Sequence, residues 1–266
     1  MKHMHFRASC SYTALAALLA AKGVDTEDFR IALEMKLPWL FAKEEDVYLS
    51  GPMLQGDKWF DLWLKPRGFR MREHCLDQSE LCRFLREHPS VMLGLMTPQG
   101  KHAVVLREYD GRYHFFNPTY VDSGEDEEWS LDEAELLERT DPITVVGEVV
   151  DAAPETPELL PLLAESVTVL RENVAAIETF ATQTHAPEEY IPMMNRLFRP
   201  LLLDGITMLE LAGETELARG FTELQGEFMC FLRGSRTAPL AETLSLQKLR
   251  SLSDTYVGLI EQQIGY

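Results

Sequence analysis

One cysteine, one histidine and one asparagine, in that order along the chain, are the residues whose types and spacing could do chemistry. Cys10 stands where an Ala/Leu-rich helix over Ser11–Ala21 is expected to begin, with Gly23 ending it. The positive end of a helix lowers a thiol's pKa and favours the nucleophilic thiolate. His102 opens a valine-rich strand and Asn117 ends an aromatic one, with an Asp110-Gly111 hairpin turn between them. If that hairpin pairs, both ends lie at one edge of a sheet. Asn117 can then fix the His102 tautomer, and His102 can hold Cys10 as an ion pair. Nucleophile, base and orienting residue together are the apparatus of cysteine acyl transfer. Packing is the competing reading, because free cysteines are among the most buried residues and a strand-end histidine can simply satisfy a hydrogen bond.

The elements that must position these residues follow from periodicity and turn chemistry. Asp25 is expected to cap a helix over Thr26–Leu33. Asp77-Gln78-Ser79-Glu80 has capping-box spacing and predicts a helix to Glu87, and Ser130-Leu131-Asp132-Glu133 predicts a short one through Leu137. Strands are expected at Val91–Met96, His102–Arg107, Tyr113–Asn117 and Ile143–Val150. Residues 37–72 give no clear pattern; they hold Trp39, Leu40, Phe41, Trp59, Phe60, Trp63 and a Gly51-Pro52 turn. Beyond the Pro/Ala/acidic stretch 151–157, helical spacing runs almost without interruption, in segments of about 158–183, 188–212, 214–233 and 239–264. The expected fold class is α+β: an N-terminal domain with an antiparallel sheet over 1–150, a linker over 151–157, and an all-α four-helix bundle over 158–266.

Several stretches resemble a known family. Ser9-Cys10-Ser11-Tyr12-Thr13-Ala14-Leu15 leads into the helix ended by Gly23. Gly100-Lys101-His102-Ala103-Val104-Val105 is followed by Tyr109-Asp110-Gly111-Arg112-Tyr113-His114-Phe115-Phe116-Asn117-Pro118, and then by Trp129-Ser130-Leu131-Asp132-Glu133. Over about residues 5–150 the chain resembles papain-like cysteine peptidase domains of the double-glycine-leader, bacteriocin-processing kind, and also the N-terminal domain of the butirosin-biosynthesis acyltransferase type. The resemblance implies a papain-like fold with Cys10 as nucleophile, His102 as base and Asn117 as orienting residue. It implies a peptide, amide or thioester substrate and no cofactor.

The chain departs from that pattern at three places. Ser11 follows Cys10 where the family has glycine. Met4 stands where the family places its oxyanion-hole glutamine, six residues before the nucleophile. Asn117 stands where leader-peptidase relatives often have aspartate. An oxyanion hole would use the Cys10 main-chain N–H and a further donor, with His3, His5 and Gln55 as candidates. Losing one such donor typically costs about 10²–10³ in rate. The departures therefore support a second expectation, a catalytically decayed papain-like module that binds a peptide or protein partner.

Length and charge set the outer bounds. A chain of 266 residues and 30.3 kDa is enough for two domains with real cores. The net charge of −18 divides evenly, −9 on each side of residue 150, which argues against a general nucleic-acid or anionic-membrane binder. Nine of the acids fall within Asp122–Glu138, and a loop of that charge beside the site would favour a cationic or amine-bearing substrate. Four scattered cysteines suit a reducing, cytoplasmic compartment rather than a disulfide framework. Met1–Gly23 has the outline of a secretory signal, but its apolar stretch is short and opens on Ser11-Tyr12-Thr13, which favours a helix of the folded protein. No apolar run is long enough for a membrane span. His74-Cys75 and Cys82…His88 match no common zinc spacing, so no metal is expected. The helical half carries one histidine, His185, and one cysteine, Cys230, and suggests a homo-oligomer surface, a lid or a partner-binding unit rather than chemistry of its own.

Overall fold

A computed structural model describes residues 2–234 and 238–265. In chain order its elements are α1 (Cys10–Ala21), α2 (Asp28–Glu34), β1 (Phe41–Glu44), β2 (Val47–Ser50), α3 (Asp57–Leu64), β3 (Phe69–Asp77), α4 (Gln78–Glu87), β4 (Val91–Thr97) and β5 (Gly100–Tyr109). They continue with β6 (Tyr113–Phe116), β7 (Glu128–Leu131), α5 (Glu133–Glu138), β8 (Ile143–Asp151), α6 (Leu159–Ala181), α7 (Tyr190–Met193), α8 (Ile206–Leu211), α9 (Thr215–Arg233) and α10 (Leu246–Ile264). The fold is α+β, with antiparallel sheets and a helical C-terminal part, as the sequence leads one to expect.

Two compact units divide the chain. The first holds Met1–Met35 and Gln55–Pro157, the second Lys36–Leu54 and Glu158–Tyr266. The sequence led to a single boundary at 151–157; the compact units differ from it by the excursion 36–54. The reason is local packing. Hairpin β1–β2 is too short to bury its own apolar face, and it attaches to α6, where the Phe41 N–H donates to Ser166 Oγ at 2.9 Å. The Tyr256 hydroxyl of α10 donates to the Pro38 carbonyl at 2.7 Å, and its ring meets Phe41 and Trp39 edge-on. Residues 37–72 resisted reading because they serve two cores. Trp39, Leu40 and Phe41 belong to the helical unit, whereas Trp59, Phe60 and Trp63 line α3 in the other.

In the first unit six strands form one sheet in the order β3-β8-β4-β5-β6-β7, antiparallel throughout. One face carries a core of Leu81, Leu85, Val91, Leu93, Leu95, Val104, Leu106, Phe115, Leu136 and Val146. Helix α4 begins as its capping spacing requires, Asp77 accepting from the Ser79 and Glu80 N–H groups at 2.8 and 3.0 Å. The other predicted cap moves by two residues. Ser130 sits in β7 opposite His114, and the capping box is Asp132 with Glu135. Asp25 does not cap α2 but pairs with Lys2. Helix α1 is buried on nearly every side, from Ser11 to Ala16 and at Leu18 and Leu19, so its Ala/Leu stretch is core.

The second unit carries a helix in each of the four expected segments, the last beginning at Leu246 rather than at 239, after a short 3-10 turn over Leu240–Glu242. Tyr190–Leu211 is one continuous run whose middle widens over Met194–Phe198 and Pro200–Gly205. Pro200 has no N–H to give the ladder, so the turns around it open. Gly205 fits beneath it because a Cβ there would stand 2.6 Å from the Pro200 carbonyl oxygen. That same carbonyl accepts the Ser50 hydroxyl at 2.8 Å. No helix among the described residues is long and apolar enough to cross a membrane.

A protein truncated after Pro157 is expected to aggregate, because it retains Trp39, Leu40 and Phe41 without α6 and α10. Each such side chain is worth about 1.5–3 kcal/mol when buried. Replacing 36–54 by a short polar linker in the same truncation is expected to restore a soluble monomer. Size-exclusion profiles of the two proteins check this.

Candidate functional site

Each of the three predicted residues sits at an element end. Cys10 is the first residue of α1, preceded by Ala8 in the left-handed region (φ 59°) and by Ser9 at the N-cap. Its thiol lies against the main chain of β5, where the Ala103 N–H favours the thiolate together with those of Cys10 and Ser11. His102, the neighbour of Ala103, faces Leu95 across the β4–β5 ladder. Asn117 directly follows β6, almost fully buried, with its side chain against the His102 ring.

A bulge makes the His102–Asn117 encounter possible. From the turn upward Tyr109 pairs with Tyr113 and Glu108 with His114, but Leu106 then pairs with Phe115 and Val105 with Phe116. Arg107 is the extra residue. Side chains alternate between faces, so one inserted residue exchanges the faces of everything beyond it. Without the bulge Asn117 would share a face with Ala103 and Val105. With it, Asn117 shares one with His102 and Val104.

Asn117 is held from behind by the acidic loop. Its Nδ2 donates to the Asp126 carbonyl at 2.6 Å and its main-chain N–H to the Glu127 carbonyl at 2.8 Å. The amide is thereby oriented, and the loop is tied to the site. His102 and Asn117 line a cleft of about 630 Å³ with Met4, Met96, Thr97, Pro98, Gln99, Tyr120, Gly124, Glu125, Asp126, Trp129 and Arg139 among its other walls. Three residues of the acidic loop, Gly124, Glu125 and Asp126, are therefore in the wall of this cleft. Cys10 is not among the residues lining this cleft.

Burial dominates the electrostatics. It pushes the Cys10 thiol above its ordinary pKa, outweighing the three main-chain N–H groups. It pushes the His102 imidazole below its ordinary pKa, against the opposing effects of Asn117, the Pro118 carbonyl and the charge of Glu125. Each shift favours the uncharged form of its group, against the thiolate that a helix N-terminus alone would favour. The His102 Nε2 atom is buried without a hydrogen-bond partner.

The sequence left the second oxyanion donor open, and the structure narrows the candidates. Met4 lines the cleft, its N–H given to the Thr119 carbonyl at 2.8 Å. His5 is committed to Asp28 through Nδ1 at 2.6 Å. His3 lies 3.7 Å from Glu127, and Gln55 is exposed. Sequence reasoning missed Gln99, Tyr120 and Arg139 as cleft residues. Gln99 sits in the β4–β5 turn, and Arg139 stacks on Trp129 with its guanidinium 5.3 Å from the ring centre. The signal available for Tyr120 was an aromatic residue just outside a strand; it is 42% exposed. Cys82 is buried in the core, whereas Cys75 and Cys230 are exposed. Among the described residues no three His, Cys, Asp or Glu side chains are grouped to hold a metal ion.

No family model matches the chain, and no curated protein is similar to it. Several solved structures are similar over part of it, two of them from Streptococcus and Vibrio vulnificus. One is the peptidase domain of Streptococcus ComA, a bi-functional ABC transporter involved in a quorum-sensing pathway. It is 10% identical, with 55% of this chain and 96% of that one covered and a TM-score of 0.37. The other is a periplasmic domain of the EpsAB fusion protein of the Vibrio vulnificus type II secretion system. It is 12% identical, with 54% of this chain and 47% of that one covered and a TM-score of 0.30.

The electrostatics give a measurable sign. Asn117→Asp places a carboxylate against the imidazole and favours its charged form. The His102 titration followed by NMR is expected to lie below the free-histidine range in the wild type and to move upward in the variant. In Asn117→Ala, which removes a group favouring the charged ring, it is expected to move further down.

Proposed function

We propose that the chain is a cysteine-dependent acyl-transfer enzyme, with Cys10 as nucleophile, His102 as general base and Asn117 as the residue that orients the ring. The observation carrying this reading is the His102–Asn117 pair in the wall of a cleft, with Nε2 unpartnered and Cys10 held against the next residue of the same strand. Burial favours the neutral thiol and the neutral imidazole, which suits a first step by concerted general-base catalysis. His102 takes the Cys10 S–H proton as sulfur attacks the substrate carbonyl carbon. The tetrahedral intermediate collapses, its C–S or C–N bond breaks, and the leaving thiol or amine takes the proton back from the imidazolium. The thioester left on Cys10 is then attacked by water or by an amine, which His102 deprotonates.

The Cys10 main-chain N–H, free of an intrahelical partner at the start of α1, is the natural donor to the oxyanion. Met4 supplies no side-chain donor where the resembled family has glutamine. A thioester needs less help to expel its leaving group than an amide, so thioester chemistry suits this site best. The same apolar Met4, with Cys10 outside the cleft wall, favours a second reading: a papain-like module that binds a peptide in the cleft without turning it over.

Incubation with a simple acyl N-acetylcysteamine thioester tests the first reading. Mass spectrometry is expected to find one acyl group on Cys10. Cys10→Ala is expected to abolish the adduct, and His102→Ala to slow its formation about 10³-fold or more. Absence of any adduct across acyl chain lengths, alongside retained peptide binding, would leave the second reading standing.

A further inference from the structure

The segment that presents Cys10 is held by a buried carboxylate which the chemistry above does not use. Asp28, the first residue of α2, is fully buried. It accepts the His5 main-chain N–H at 2.8 Å on Oδ2 and lies 2.6 Å from His5 Nδ1 on Oδ1. It accepts the Phe29 N–H at 2.7 Å and the Thr13 hydroxyl at 3.2 Å. The Thr13 hydroxyl also reaches the Ser9 carbonyl at 3.1 Å, and the Thr13 N–H reaches it at 2.8 Å. Two of the anchored residues bracket the nucleophile: His5 lies five residues before Cys10 and Thr13 three after. Between them the chain turns through Ala8 in the left-handed region, a conformation that must be held in place for a residue with a Cβ.

A buried carboxylate is costly unless its oxygens are filled, and it adds stability poorly compared with an apolar side chain of the same shape. Here Oδ2 takes both ends of one loop, the His5 N–H and the Thr13 hydroxyl, while Oδ1 is met by the His5 ring and the Phe29 N–H. The His5 ring is further fixed edge-on against Phe29, 5.1 Å between centres. We propose that Asp28 is a positioning residue for the nucleophile: it clamps His5 to Thr13 and so fixes the Cys10 sulfur against β5. The proposal rests on the acyl-transfer reading for its purpose, but not for its test.

The clamp has a signature that a merely structural carboxylate lacks. Loosening it exposes a half-buried thiol further to solvent while taking it away from its reacting position. Thr13→Val, which keeps the shape and removes the donor, and Asp28→Asn are each expected to raise the rate of Cys10 alkylation by iodoacetamide at least threefold. Each is expected to slow acylation of Cys10 by the thioester probe tenfold or more with KM within twofold. Leu85→Ala, in the sheet core, is expected to lower the unfolding midpoint by a comparable amount and to move neither rate at a temperature where all variants are folded. Unchanged alkylation in both clamp variants would overturn the proposal, as would equal changes in Leu85→Ala. A wild type that alkylates but never acylates removes the acyl-transfer reading and leaves the alkylation comparison to decide on Asp28.

Discussion

Antiparallel pairing of β5 with β6, with Arg107 bulged out between them, is the constraint on which the site hangs. A sheet transmits register over its whole length, because each residue's face is fixed by the count from the last pairing. The strand termini that carry His102 and Asn117 are far from the hairpin turn, so one residue more or less near Arg107 decides whether they meet. The bulged residue is itself tethered: its guanidinium lies over Phe116 and pairs with Glu128 at 3.1 Å. Phe116 and Glu128 are opposite each other in the next ladder. The irregularity in the β5–β6 ladder is thus held by a residue pair of the neighbouring β6–β7 ladder.

Electrostatics at the site follow from depth rather than from helix direction. A helix N-terminus stabilises a thiolate through a field that is worth most where the group is partly wet, and desolvation of a charged sulfur opposes it. At Cys10 desolvation is the larger effect. Burial raises the thiol and lowers the imidazole, so at each residue it favours the uncharged form.

How much of this was legible in the sequence varies with the range of the interaction. Capping at Asp77, the Asp110-Gly111 turn and the helical stripes of the C-terminal half rest on neighbours within a few residues, and they could be read directly. Cys10, His102 and Asn117 could be singled out as candidates from residue type and order. Their relation could not be read, because the bulge leaves no mark in hydrophobic patterning. The N-cap of α5 was placed two residues early because Ser130 is a good capping residue that a strand pairing claimed first. The depth of Cys10, and with it the sign of its shift, depends on packing that no local pattern contains. Residues 37–54 were illegible for a related reason: their partners Ser166, Pro200 and Tyr256 lie well over a hundred positions further along.

That last separation bears on the order in which the protein can be made. On the ribosome the hairpin of β1 and β2 emerges early, yet Ser166, which receives Phe41, is 125 residues behind it. For the whole interval in which the six-stranded sheet is being synthesised, the nascent chain carries Trp39 and Phe41 with nowhere of their own to go. Closing so long a loop is slow rather than thermodynamically prohibitive. The helical unit therefore completes last, and the first unit must fold around a looped-out segment whose two ends, at Met35 and Gln55, it already holds.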